Sequence, residues 1–183
     1  MSKSIKINLI LGIILFLVGI YSSVILKYPH FYTPFSIGSL LISLGLYRLI
    51  FSRSFFDNWK FKDHLLFWIL LCAACLIVDQ IGLFLNYRHY PYYSGLIDEI
   101  IKITLEYAVP LASFAVFVFI GTKLFNQKIS IIIISPIILI FTEYINSFSD
   151  SWVVTMPLVI WFTIGAWLMS IIPLTIYKYI NSK

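Results

Sequence analysis

Six apolar runs, each of about 17 to 22 residues, alternate with short polar stretches along the chain. They occupy residues 5–26, 35–51, 65–85, 106–125, 129–145 and 156–177. An α-helix of about 20 predominantly apolar residues spans the hydrocarbon core of a bilayer. The pattern therefore predicts an all-α fold, a polytopic bundle of six transmembrane helices that forms one domain over residues 1–183.

The composition is that of a membrane protein. Hydrophobic residues make up 61% of the chain and charged residues 11%, and the mean hydropathy is +0.96. Soluble globular domains contain about 45–50% apolar and about 25% charged residues, so that class is excluded. The chain has 13 Lys and Arg against 8 Asp and Glu, a net charge of +5. Because basic residues of membrane proteins concentrate in cytoplasmic loops, we expect membrane lipids and no nucleic acid as partners.

The basic residues divide unequally between the two sides of the predicted bundle. Ten of the 13 lie at the termini or near the inner ends of spans two and four, which face the same side. They are Lys3, Lys6, Arg48, Arg53, Lys60, Lys62, Lys123, Lys128, Lys178 and Lys183. The positive-inside rule then predicts that both termini are cytoplasmic and that the chain is a multi-pass protein of the cell membrane.

Six of the eight acidic residues fall on the opposite, outer side: Asp79, Asp98, Glu99, Glu106, Glu143 and Asp150. Acidic residues contribute little to orientation, so this asymmetry needs another cause. Asp79 lies inside span three, about 9 Å below its outer end. A carboxylate at such depth costs about 2.5–3.5 kcal/mol on insertion scales and normally faces the bundle interior. Two roles for Asp79 stay open, one in a site and one in fixing helix packing.

Two cysteines share a face of span three with Asp79. Cys72 and Cys75 precede Asp79 by seven and four residues, so the three lie on one side of a helix. A Cys-x-x-Cys pair can bind metal or carry redox chemistry, but an apolar run lacks the positive surroundings that favour a thiolate. We therefore interpret the pair as small packing residues and predict neither a metal site nor a cofactor.

A second polar face precedes span four. Asp98, Glu99, Lys102 and Glu106 fall within an arc of about 100° when about 100° is assigned to each helical residue. One alternative is a separate helix that lies in the outer interface. The other is an extension of span four that points Glu106 into the bundle.

A third polar face ends span five, where Glu143 is followed at helical spacing by Asn146 and Asp150. Consecutive helices joined by short loops are usually neighbours. We therefore predict that Asp79, Glu106 and Glu143 converge in one catalytic cluster. The residues predicted to bind a headgroup or partner beside this cluster are Gln80, Arg88, His89, Lys102 and Tyr144.

The basic members of that second group suggest a ligand. Arg88, His89 and Lys102 would suit a phosphate headgroup, since Arg offers two parallel donors to phosphate oxygens. The outer loops that carry Arg88 and His89 are also rich in Tyr, which is typical of an interfacial aromatic belt. Both interpretations of these loops stay open.

The first functional hypothesis is a lipid-phase enzyme that acts on an amphipathic or isoprenoid-type lipid. Asp79 would be the protonated acid, since it is deepest, and Glu106 or Glu143 the ionised base or cation stabiliser. Two alternatives are an assembly or structural partner of another membrane protein and a small ion-binding or solute-binding transport subunit. Whether the protein is an enzyme therefore stays open at this stage.

Overall fold

The computed structural model describes residues 3–92, 95–150 and 152–182, apart from the side chains at positions 3, 4 and 88. Within these residues six helices are long and apolar enough to cross a membrane. They are α1 (Lys3–Val24), α2 (Tyr32–Phe51, after a 3-10 turn at Pro29–Phe31), α3 (Phe61–Phe84), α4 (Leu96–Gly121), α5 (Gln127–Asn146) and α6 (Leu158–Asn181). The predicted all-α bundle of six apolar helices is confirmed.

The largest difference from the predicted boundaries concerns α4. This helix begins at Leu96 rather than at residue 106, and it runs without interruption to Gly121. Lys102 and Glu106, which interrupt the apolar pattern, are 2% and 3% exposed. The chain thus adopts the second alternative, an extended span four with Glu106 inside the bundle. The polar residues are tolerated there because neighbouring elements supply their partners.

Helix α4 is the centre of the bundle. Of its most apolar stretch, 67% is buried, against 17% for α1. It packs against α2, α3, α5 and α6, whereas α1 packs mainly against α2. Lys102 and Glu106, on the inward face of α4, are therefore surrounded by protein.

The end of the bundle opposite the chain termini is called the outer end, after the predicted orientation. Two helices widen into π-helical segments near this end. One is Lys102–Ala108 in α4 and the other is Trp161–Gly165 in α6. A π-helical turn contains one more residue than an α-helical turn and changes which side chains face inward. Such segments occur frequently at functional sites. Residues of both segments line the same cavity, which is described below.

A two-stranded sheet ties the outer connections together. Strand β1 (Arg88–His89), between α3 and α4, pairs antiparallel with β2 (Val153–Val154), between α5 and α6. The Thr155 backbone N–H also donates to the carbonyl oxygen of Tyr87 at 2.8 Å. This pairing places the residues just after β1 over the outer end of the bundle.

Glycines allow α1 and α2 to pack at short distance. A Cβ atom added at Gly38 would lie 2.8 Å from the carbonyl oxygen of Gly12. One added at Gly19 would lie 2.7 Å from the backbone nitrogen of Phe35. Small residues at a crossing let helix backbones approach, which favours association where lipid provides no hydrophobic drive.

Replacement of Gly38 should therefore weaken the α1–α2 contact. We expect Gly38→Ala to destabilise the protein by about 1–3 kcal/mol, because the new methyl group meets backbone atoms that cannot move aside. Thermal unfolding in mild detergent measures the loss. Gly121→Ala is the matched control, since its Cβ would lie 3.0 Å and 3.1 Å from side-chain atoms of Ile134 and Ser130, which can shift. Equal losses for the two variants would contradict the packing argument.

Candidate functional site

A polar chamber lies in the outer half of the bundle, among α2, α4, α5, α6 and the outer loops. Glu106 and Glu143 both line it. The centre of a water molecule can occupy a volume of about 20 Å³ inside the chamber. This volume is enough for roughly one group of the size of water. Six aromatic residues form much of the remaining wall: Tyr32, Tyr90, Tyr107, Phe114, Trp152 and Trp161.

A buried ion pair joins α3 to α4 beside the chamber. Lys102 Nζ lies 3.0 Å from Asp79 Oδ2, and Asp79 is fully buried. The Tyr90 hydroxyl donates to Asp79 Oδ1 at 2.7 Å, and its ring lies with its centroid 4.2 Å from Lys102 Nζ. Asp79 is therefore paired with Lys102. The depth of Asp79 within its apolar run did not by itself predict this partner.

The ion pair continues toward the surface. Lys102 Nζ lies 2.5 Å from Glu99 Oε2, one helical turn earlier on α4. Gln80 Nε2 in turn donates to Glu99 Oε1 at 3.5 Å. Two carboxylates thus approach one ammonium group, and α3 and α4 are linked by two successive contacts.

Glu143 is held by N–H donors from three residues. Trp161 Nε1 donates to Oε1 at 2.8 Å, and Trp152 Nε1 lies 3.0 Å and 3.1 Å from the two carboxylate oxygens. Asn146 Nδ2 donates to Oε2 at 3.4 Å. An indole N–H can only donate, so this environment matches a group that only accepts. The two tryptophans therefore fix the position of the Glu143 carboxylate in the chamber wall.

Glu106 connects the chamber to the outer surface. The Thr33 hydroxyl donates to Glu106 Oε1 at 3.3 Å, and His30 Nδ1 lies 4.0 Å from the same oxygen. His30 is 31% exposed, whereas Glu106 is almost fully buried. Tyr32 lines the chamber together with Glu106 and Glu143. The partly exposed His30 thus brings a titratable group within 4.0 Å of the buried Glu106 carboxyl group.

The structure brings the three predicted carboxylates into one region. Glu106 and Glu143 line the chamber directly, and Asp79 reaches it through Lys102 and Tyr90, which also line the wall. The arrangement puts carboxylates from three helices at the same level of the bundle.

The residues predicted to bind a headgroup or partner are not grouped together in the structure. Tyr144 is 61% exposed and packs against Phe148, outside the chamber. His89 is exposed on β1, whereas Lys102 is buried against two carboxylates, so these two do not share an environment. Gln80 contacts Glu99 only at the edge of the network. The Arg88 side chain lies outside the described part of the chain.

Sequence reasoning missed the residues that hold the carboxylates. Trp152 follows Glu143 by nine residues in a loop, and Trp161 lies on the next helix, so helical spacing does not connect them. Tyr90 was visible only as one of several aromatic residues in an outer loop. A signal was nonetheless present, because each buried carboxylate needs donors and indole and phenol groups are the donors that these loops contain.

An apolar groove lies beside the chamber. The centre of a water molecule can occupy about 260 Å³ of this groove, against about 20 Å³ of the chamber. The groove runs between α3 and the outer half of α6. Val78, Ile81, Ile160, Ile164 and Leu168 on its walls are all at least 40% exposed, so the groove is open at the surface of the bundle. Four residues line both spaces: Tyr107, Leu111, Trp161 and Met169.

Among the described residues, no three or more His, Cys, Asp or Glu side chains are grouped so as to hold a metal ion. No protein-family model, curated protein or solved structure matches this chain. Its function is therefore inferred from the geometry of the chamber and the groove.

Removal of one member of the buried ion pair should be costly. We expect Lys102→Met to destabilise the protein by about 3–5 kcal/mol, because the buried Asp79 carboxyl group would lose its ionic partner. The double variant Lys102→Met with Asp79→Leu should recover most of that loss, since two apolar residues replace both charges. Chemical unfolding in mixed micelles measures both values.

Lys128→Met is the control for this experiment, because Lys128 is exposed at the other end of the bundle. We expect it to change stability by less than about 0.5 kcal/mol. A double variant that is no more stable than Lys102→Met would show that the two charges are not energetically coupled.

Proposed function

We propose that this protein is a lipid-phase enzyme that binds an amphipathic lipid, with its chain in the apolar groove and its polar end in the chamber. One observation carries the proposal: the two spaces share the walls formed by Tyr107, Leu111, Trp161 and Met169. A groove with exposed apolar walls thus adjoins a chamber that contains two carboxylates. A molecule with one apolar and one polar end is the natural occupant of such a pair.

The chain of the lipid would enter from the side. Val78 on α3 and Ile164 on α6 are 40% and 52% exposed and face each other across the groove. Burial of apolar surface gains little when a chain moves from lipid into a protein groove, because lipid is equally apolar. The groove therefore serves to align the chain, and the polar contacts in the chamber supply the specificity.

The chemistry would be acid–base catalysis by the two chamber carboxylates. We assign Glu106 the transfer of a proton to or from the lipid, because His30 and Thr33 connect it to the surface. We assign Glu143 the role of ionised partner, since its indole and amide donors suit a carboxylate. Asp79 would be a positioning residue that holds Lys102 and Tyr90 in the wall.

We also infer the orientation and the membrane. The charge asymmetry along the chain supports cytoplasmic termini and a chamber at the outer side of the cell membrane. The chamber contains carboxylates, and the opposite ends of the helices carry most of the basic residues. The lipid would then be taken from the outer leaflet.

Blocking the groove should remove the bound lipid. We expect protein purified in mild detergent to retain an amphipathic lipid that mass spectrometry identifies. Ile164→Trp fills the groove and should lower the retained amount at least about tenfold, since a side chain then occupies the space of the lipid chain. Ile140→Trp is the matched control, because Ile140 is 50% exposed on α5, outside the groove.

The same preparation separates the alternatives. Retention of a stoichiometric membrane protein in place of lipid would favour an assembly partner. Retained lipid that is equal in Ile164→Trp and Ile140→Trp would show that the groove does not hold it. Ion uptake by proteoliposomes that depends on Glu106 would favour a transport subunit.

Loss of the proton-transferring carboxylate should slow turnover even when the site is saturated with lipid. At saturating concentration of the lipid identified above, we expect Glu106→Gln to convert it about 10²–10⁴-fold more slowly than the wild-type protein, the usual contribution of a general acid or base. Chromatography of the lipid after incubation measures the conversion. Asp98→Asn, which removes an acid from the same end of α4 outside the chamber, is the control. Equal turnover in the wild-type protein and in Glu106→Gln would exclude this role.

A further inference from the structure

We propose that the chamber recognises a primary ammonium group, so that the ligand is an amphipathic primary amine. This inference rests on the proposed function and specifies the polar end of the lipid. The proposed ligand thus carries a primary ammonium group in place of the phosphate headgroup expected from Arg88, His89 and Lys102. Three properties of the chamber support it: the sign of its charges, its aromatic wall and its size.

Among the side chains that the structure describes, the charges in and beside the chamber are mostly negative. Glu106 and Glu143 line the wall, and Asp79 and Glu99 both contact the ammonium group of Lys102. The imidazole of His30, at the outer edge, lies 4.0 Å from Glu106. A phosphate would enter against this excess of carboxylates, whereas a cation complements it. An alkylamine is protonated at neutral pH, since it resembles the Lys side chain, whose pKa is about 10.4.

The aromatic wall suits a cation. Tyr32, Trp152 and Trp161 line the chamber together with the two carboxylates, and an ammonium group over an aromatic ring is attracted by the negative face of the ring. The structure already contains one such contact, in which Lys102 Nζ lies 4.2 Å from the centroid of the Tyr90 ring. The same combination of ring and carboxylate thus holds the ammonium group of Lys102 at the edge of the chamber.

The size of the chamber distinguishes between kinds of ammonium group. The centre of a water molecule can occupy about 20 Å³ of the chamber, so one group of about the size of water fits there. A primary ammonium group fits this space and offers three N–H donors, which match carboxylate and hydroxyl acceptors. A trimethylammonium group is larger and offers no donor, so it would displace the wall and leave Glu106 and Glu143 without new hydrogen bonds.

Three probes with the same chain test this inference on the full-length protein in non-ionic detergent. They are tetradecylamine, tetradecyltrimethylammonium and tetradecanol. Tryptophan fluorescence reports binding, because Trp152 and Trp161 line the chamber. We expect tetradecylamine to bind at least about tenfold more tightly than either of the others, since a hydrogen bond to a charged group contributes about that much.

Variants connect this preference to the chamber. We expect Glu106→Gln to weaken binding of tetradecylamine about 10- to 100-fold and to leave binding of tetradecanol unchanged. Asp150→Asn is the matched control, because Asp150 is an exposed outer acid whose left-handed backbone conformation Asn also adopts. The comparison of the three probes on the wild-type protein decides the outcome even where Glu106→Gln does not fold.

The outcomes separate this inference from the proposed function. Equal affinities for the three probes, all lowered by Ile164→Trp, would overturn the ammonium site and leave the lipid groove intact. Preference for tetradecylamine that depends on Glu106 and is insensitive to Ile164→Trp would support the ammonium site and contradict the groove. Tighter binding of tetradecyl phosphate than of tetradecylamine would overturn the ammonium site and favour a phosphate headgroup.

Discussion

The buried contact between Lys102 and Asp79 is the constraint on which the outer half of the molecule depends. A charge that leaves water inside a membrane protein needs an opposite charge and hydrogen-bond donors or acceptors close by. Lys102 therefore holds α3 against α4, and Tyr90 closes over the pair from the outer loop. The β1–β2 pairing in turn fixes the loop that carries Tyr90. The position of the chamber follows from these contacts.

The chamber and the groove differ in chemistry because different helices form them. The chamber lies beside the outer half of α4, where Lys102 and Glu106 are buried among neighbouring elements. The groove lies between α3 and α6, at the edge of the bundle, where apolar side chains are exposed. The two π-helical segments stand at the boundary, since Tyr107 and Trp161 belong to both walls. The boundary between the apolar groove and the polar chamber therefore lies at the π-helical segments of α4 and α6.

Sequence reasoning reached part of this site. The depth of Asp79 in an apolar run and the helical spacing of Lys102 and Glu106 identified the helix faces that meet. It did not find that Lys102 pairs with Asp79, because residues on separate helices have no spacing relation along the chain. Trp152 and Trp161 were missed for the same reason. The hydrophobic pattern of the sequence did not indicate the groove, since its aliphatic lining is indistinguishable from any lipid-facing surface.

The six apolar helices and the all-α class follow from the sequence alone. Length and hydrophobicity are local properties, and a bilayer requires helices that satisfy their own backbone hydrogen bonds. The partner of each buried charge and the start of α4 depend instead on how the helices pack together. His30 and Glu106, 76 positions apart in the chain, meet through the packing of α2 against α4. Such contacts depend on the summed packing of the whole bundle, which no single segment specifies.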